Sequence, residues 1–252
     1  MALLDDEIAQ ERAVLVADLL GLRDARGGGE LADLVDLEGG EAAEVLVLER
    51  LPIEREDLLA VLLVEAGLGL VTEVIITDGS QPIGYGIGPA LEALDVVAVL
   101  RGMPEAPNDL RKRAATLAGA ALEIGGKAAI GHGTAVALET IADGRAWKKF
   151  QAICQAQGGM RTPPKATHRH PLIAPRGGRI VHINNRKLAR LAKLAGAPEA
   201  KAAGVHMEVR LGDEVENDQP MLHVHAETSG ELAYALEYAA RSPDIIEVEL
   251  SS

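Results

Sequence analysis

Aromatic side chains make up only 2% of this 252-residue sequence: one Trp, three Tyr and one Phe. A core built from it must be filled by Leu, Val, Ile and Ala, and platforms for stacking unpaired nucleic-acid bases are not expected. Cysteine is nearly absent as well. Cys154 stands alone, so no internal disulfide framework is available and a reducing compartment is the natural setting. No apolar run approaches the ~20 residues that a membrane span needs. The sequence opens on Asp5-Asp6-Glu7, not on the basic region of a signal peptide. A cytoplasmic protein with no membrane partner is expected.

Positive charge is missing from the first part of the chain. Residues 1–100 hold 21 Asp and Glu against five Arg and no Lys, while the whole chain carries −13. The remainder is therefore slightly basic, and Arg145 to Lys193 contains 12 Lys and Arg with no acid. That stretch reads either as an anion site or as a face turned toward acidic parts of this chain or of a partner. An acidic chain of this kind does not read as a nucleic-acid binder. Residues 1–50 also lack His, Cys, Lys, Ser and Thr, which removes most nucleophiles and metal ligands from them.

What is present is apolar and glycine-rich. Hydrophobic residues are 48% of the chain, enough for one large or two modest cores. The chain is organised around Val74 to Gly102. Val74-Ile75-Ile76-Thr77 reads as a buried strand. A loop follows with Asp78, Gly79, Ser80, Gln81, Pro82, Gly84, Gly86 and Gly88. Pro89 stands where a helix would begin, a position that costs proline no hydrogen bond. Leu91, Leu94, Val97 and Ala98 then recur at helical spacing. Strand, glycine loop and helix form an α/β unit. The loop reads either as a tight turn or as a set of N–H groups offered to an anion at a helix N-terminus. Its G-x-G-x-G spacing matches neither the dinucleotide fingerprint nor a P-loop, and Glu92 in the first helical turn already answers the helix dipole.

Elsewhere the periodicity predicts amphipathic helices over residues 1–22 and Glu54 to Ala66, and a short strand at Val45–Leu48. A third helix is capped by Asn108 or Asp109 and carries Leu110, Ala114, Leu117 and Ala121 inward. A fourth starts near Thr134, with Leu138 and Ile141. Trp147, Phe150 and Ile153 form a stripe that reads as core, and Cys154 beside them as a small buried hydrophobe. Thr162-Pro163-Pro164 reads as a linker. Beyond it, short strands are expected at Arg179–Ile183, Val205–Leu211, Met221–Glu227 and Asp244–Leu250. Helices are expected over Asn185–Ala195 and from Thr228, which forms a capping box with Glu231.

The histidines are the candidate metal ligands of this sequence. His223 and His225 alternate along one strand and so share a face, with His206 on a neighbouring strand. Leu222, Val224 and Ala226 form the opposite, apolar face, which turns the histidines to solvent. No Cys or spaced carboxylate completes a tetrahedral set, so no metal is expected. His168 and His170 flank Arg169 in a loop before Pro171. No nucleophile has an evident base.

Several blocks, in order, carry a family resemblance: ITDGSQPIGYGIGPALEALDVVAVLRG, AQGGMRTPP, HPLIAPRGGRIVHINNRKLARLAKLAGAP and VRLGDEVENDQPMLHVHAETSGELAYALEYA. From about Leu58 onward the sequence resembles the thymidine phosphorylase family, and most of all its archaeal-type AMP phosphorylases and the bacterial thymidine phosphorylases related to them. The resemblance implies phosphorolysis of a nucleoside or nucleoside monophosphate to a free base and a sugar 1-phosphate. Inorganic phosphate is the co-substrate, there is no other cofactor, and better known branches are dimers. It also implies a departure. The family's phosphate-cradling K-x-S-T-G-G-type run, its Ser…Lys base-holding pair and its acidic proton donor all precede the ITDG block, and this sequence contains none of them. Tyr85 stands where the family loop carries Arg.

The expectation is thus an α/β plus α+β chain: the remnant of a nucleoside-phosphorylase α/β domain and a small hammerhead-like C-terminal domain. An acidic segment of unknown role spans 1–50, an α/β and helical domain 51–165, and the α+β domain 166–252. No catalytic residue is carried over. Asp78, Ser80, Gln81, Gly84, Gly86 and Gly88 are candidates for a substrate cleft. The chain is expected to be inactive alone, to pair with itself or with a chain supplying the upstream half, or else to be a non-enzymatic binding or scaffold protein. The G-D-x-V hairpin at Gly212–Val215 also resembles biotinyl and lipoyl carriers, but no Lys follows Lys201 to be modified.

Overall fold

A computed structural model describes residues 34–36, 42–49 and 71–250. The helices expected over 1–22 and Glu54–Ala66 lie outside these residues. Two compact units are present, each made of two stretches: Met1–Asp78 with Ala115–Ala137, and Gly79–Ala114 with Leu138–Ser252.

In the first unit, β1 (Leu34–Asp36) pairs antiparallel with β2 (Ala42–Glu49), and β2 pairs parallel with β3 (Val71–Thr77). The strand expected at Val45–Leu48 is the interior of β2. The expectation of a buried β3 fails, since Ile76 is 71% exposed. The reason is topological. Among the described residues β3 lies at the edge of a three-stranded sheet with β2 as its one strand neighbour, so an apolar run alone did not guarantee cover.

Two helices, α2 (Asn108–Ile124) and α3 (Gly133–Ala142), complete this unit with their adjoining ends. Gly119 and Gly133 are pressed together so closely that a Cβ on either would strike the other helix's backbone. The Glu123 carboxylate accepts N–H bonds from Gly131 at 2.8 Å and from Gly133 at 2.7 Å. Those donors hold its carboxyl below the usual range.

The second unit contains β4 (Gly86–Ile87), α1 (Pro89–Leu100), the start of α2, and everything beyond Leu138. Its elements after α3 are α4 (Arg145–Ala156), β5 (His168–Ile173), β6 (Gly178–Ile183), α5 (Asn185–Leu194), β7 (Gly204–Met207), β8 (Glu214–Val215), β9 (Pro220–Ala226), α6 (Ser229–Ala240) and β10 (Ile246–Glu249). Two antiparallel sheets form, in the orders β4-β7-β9-β5 and β10-β6-β8. Alternation along β9 from Leu222 onward puts Leu222, Val224 and Ala226 inward, each fully buried, and they share one core with Leu188 and Leu191 of α5 and Ala235 of α6. Local signals behave as expected. Asn184 caps α5 by accepting the Lys187 N–H at 3.1 Å, and Thr228 and Glu231 form the reciprocal box at the start of α6.

Other expectations need correction. In α1 the buried face is Ala90, Leu91, Asp95 and Val99, and Leu94 is turned out. Asn108 and Asp109 lie inside the first turn of α2 rather than capping it, and Ala114 is exposed while Ala115 is buried. Spacing alone gave the period of these helices, but the neighbouring elements chose the face. Helix α4 has no buried residue. Its Trp147 and Phe150 stack at 5.8 Å, Arg101 lies over Trp147, and Cys154 is half-buried, so the stripe is not core. The third C-terminal strand stops at Met207, four residues short of Leu211. His168, Arg169 and His170 belong to β5, where pairing with β9 draws them out of the expected loop.

Candidate functional site

The glycine loop is held by carboxylates of its own chain. Gly84 donates its N–H to Asp109 Oδ2 at 3.2 Å. Tyr85 and Gly86 both donate to Asp95 Oδ2, at 2.6 and 2.7 Å. Gly88 donates to Glu92 Oε1 at 2.8 Å. Among the described residues Asp95 is the one buried charged side chain, 9% exposed. A buried carboxylate needs donors, and the loop amides supply them. The glycines answer the same close approach: a Cβ on Gly86 would collide with Leu91, and one on Gly88, at φ +129°, with the Ala203 carbonyl. The loop therefore receives anions that the chain itself provides, and a phosphate placed there would meet three carboxylates and no unengaged amide among these four.

The same loop is fastened to the C-terminal sheets. Arg210 donates from Nη1 to the Pro82 carbonyl at 3.0 Å and from Nη2 to the Gly84 carbonyl at 2.5 Å. It pairs with Asp109 at 3.3 Å and lies 4.6 Å over the Tyr85 ring. The ring's neighbour is His206, stacked at 6.0 Å. Gln81 Oε1 accepts the Leu211 N–H at 2.9 Å, and Asn185 Nδ2 donates to the Gly79 carbonyl at 2.8 Å. Asp78 and Ser80 are exposed, and each has an interaction of its own. Tyr85 thus serves as a flat surface for a guanidinium. An Arg in its place would set two cations face to face.

A cleft of about 340 Å³ lies in the first unit, lined by Glu73, Val74, Ile75 and Ile76 of β3, Thr116, Ala120 and Glu123 of α2, and Thr134 of α3. None of the six candidate loop residues lines it. Its charged lining residues are both acids, which disfavours a phosphate dianion there.

The three histidines come together as their alternation required. His206 stands directly across from His223 in the β7–β9 register. His223 Nδ1 lies 2.8 Å from Glu208 Oε1, which also takes Arg169 at 3.3 Å and approaches His206 Nδ1 at 3.6 Å. Burial first, then the Arg169 charge, lowers the His225 pKa to about 4. Among the described residues no group of three or more His, Cys, Asp or Glu is arranged to hold a metal.

Sequence reasoning missed Asp95, Arg210 and Glu208. Asp95 left a trace, an acid between Leu94 and Val96-Val97 on a helix otherwise apolar after its first turn. Arg210 left none, because its partners at Pro82 and Gly84 are more than 120 residues away in the sequence.

Residues 179–245, the α5–α6 core and its strands, match the pyrimidine nucleoside phosphorylase C-terminal domain. Relatives match further upstream. One from Chelativorans sp. (strain BNC1) is 72% identical over 186 residues, 74% of this chain and 36% of its own length. Those from Tolumonas auensis and Parvibaculum lavamentivorans are 52% and 51% identical over 235 residues, 93% of this chain and 46% of theirs. Each bears the name "Putative thymidine phosphorylase". The chain belongs to the thymidine phosphorylase family, and it spans less than half the length of these relatives. The longer matches necessarily include residues before Leu58, so the likeness begins earlier than the sequence blocks indicated.

Proposed function

We propose that this chain forms the C-terminal part of a nucleoside-phosphorolysing enzyme and is inactive by itself. In that reaction a phosphate oxygen attacks the anomeric carbon and the C–N glycosidic bond breaks. The base leaves with the bonding pair and takes up a proton. The observation that carries the reading is the family match over 93% of the chain. The engaged loop amides support the second half of it, because they leave phosphate to be held by other residues. In this reading the α+β part is a hammerhead-like domain beginning near residue 166, the loop from Asp78 to Gly88 walls the cleft, and the setting is cytoplasmic.

Purified chain is to be incubated with inorganic phosphate and, separately, thymidine, uridine and AMP, with release of free base measured. No turnover above the protein-free control is expected. Clear turnover by the chain alone would overturn the inactivity. A non-enzymatic scaffold is the second reading, favoured by the same self-satisfied loop. It requires a salt-sensitive complex in sedimentation, and a salt-independent monomer that captures no partner counts against it.

A further inference from the structure

The outer face of β9 gathers one acid against several basic groups. Glu208 Oε1 lies 2.8 Å from His223 Nδ1, 3.3 Å from Arg169 and 3.6 Å from His206 Nδ1. His225 is placed differently. In the ladders it stands directly across from Arg169 of β5 on one side, and from Gly204 of β7, which has no side chain, on the other. Its Nε2 is buried without a hydrogen-bond partner among the described residues. A neutral ring can keep its proton on Nδ1 and leave Nε2 a bare lone pair. A second proton finds no acceptor at Nε2, and it sets a cation directly opposite the Arg169 guanidinium, a cross-strand pairing that repels.

Strand β5 is lightly held. Pro171 brings no N–H to the ladder, Arg169 and His170 are exposed, and of the strand's aliphatic side chains Leu172 packs against the core while Ile173 is exposed. Just beyond β5 the chain is pinned. Fully buried Ala174 donates its N–H to the Gln219 carbonyl at 2.8 Å and accepts the Asp218 N–H at 3.0 Å. Just before it, residues 157–167 belong to no helix or strand. We propose that β5 is an acid-released latch: when His225 takes up a proton, Arg169 is repelled and His168–Ile173 leave β9, while β7, β9 and the pinned Ala174 stay in place. Opening separates the opposed charges and gives the ring access to water. It thereby relieves burial and the Arg169 charge, the two leading causes that lower the His225 pKa to about 4 in the closed strand. His206 and His223 add to the repulsion when charged, and Glu208 opposes the release by favouring the charged ring. The connector from α4 to the sheets is thus clamped at neutral pH and loosened in acid, whether or not the chain takes part in phosphorolysis.

The test is amide hydrogen exchange of the full chain at pH 7.5 and pH 5, corrected for the intrinsic pH dependence of exchange. At pH 5 the open strand lets His225 bind a proton that the closed strand refuses. The β5 amides protected at pH 7.5 are expected to lose about fivefold in protection, because the face is partly open to water and Glu208 opposes release. The β7–β9 and β10–β6 amides keep theirs. His225→Gln removes the loss. Arg169→Gln, at an exposed side chain, reduces it to about twofold and reads the same contact should His225→Gln fail to fold. His182→Gln, on exposed surface of β6, is the control and retains it. Protection that falls equally in β5, β7 and β9 overturns the latch. So does an absence of loss in β5, or a loss that either His225→Gln or Arg169→Gln leaves at its parental size.

Discussion

The strands β9 and β3 are both seven residues long and both carry apolar side chains, yet they meet opposite fates. In β9, alternate residues Leu222, Val224 and Ala226 are fully buried beneath α5 and α6, and both edges are taken, by β7 and β5. In β3, Ile76 faces solvent and β2 is the one strand neighbour among the described residues. Alternation separates the two: from Leu222 onward β9 reads apolar-polar, with histidines on its outer face, and that pattern fixes which face is covered. β3 carries a three-residue apolar run, Val74-Ile75-Ile76, after Glu73, and no such alternation to mark a covered face.

The sharpest way to break this comparison is to shorten one side chain in each strand. Leu222→Ala removes a fully buried side chain from the centre of the C-terminal core, and a loss of about 2–5 kcal/mol in urea unfolding is expected. Ile76→Ala is expected to change stability by less than about 0.5 kcal/mol. Equal effects would show that β3 is covered in solution and that the contrast is false.

A second change probes the loop between them. Asp95→Ala strips the acceptor from the Tyr85 and Gly86 amides, leaving buried donors without a partner. A loss of about 1–3 kcal/mol is expected, with faster hydrogen exchange at those two amides. Asp95→Asn keeps an acceptor oxygen and should fall between Asp95→Ala and the parent. If Asp95→Ala leaves exchange unchanged, the loop is fixed by other means, and Arg210 becomes the first alternative.

These residues also mark how far the sequence could be read. Signals whose partners lie within a few residues were legible: Pro89 opening α1, the Thr228–Glu231 box, and the inward set Leu222, Val224 and Ala226. The strand, the turn and the helix around the glycine loop were each legible, but not that the strand falls in one compact unit and the loop and helix in the other. Helix faces were less so, because Leu94 and Ala114 fit the period but lie exposed. Propensity and period say nothing about which side another element will cover. The loop's chemistry was the least legible part. Its amides looked available because the acids that engage them are distant (Asp109) or masked among apolar residues (Asp95), and the cation that staples it, Arg210, comes from the far end of the chain.

The smallest expected effect separates the two faces of β9 itself. The inner face is apolar and indifferent to pH. The outer face carries His223 and His225, with Arg169 from β5, His206 from β7 and Glu208 just beyond it gathered around them. Burial and the nearby Arg169 charge lower the His225 pKa to about 4, below the ordinary value of about 6.5. Between those two values the unfolded chain binds a proton that the folded chain refuses, so stability falls as pH drops from about 6.5 toward about 4 and is unaffected by this group above that window. Glu208 opposes the trend by favouring the charged ring, and the site is partly open to water, so a shallow slope is expected. His225→Gln should flatten the slope of unfolding free energy against pH within the window while leaving values at pH 8 nearly unchanged. A slope that survives His225→Gln in full would assign the acid sensitivity to other groups. Stability that rises on acidification would reverse the charge balance proposed for this face.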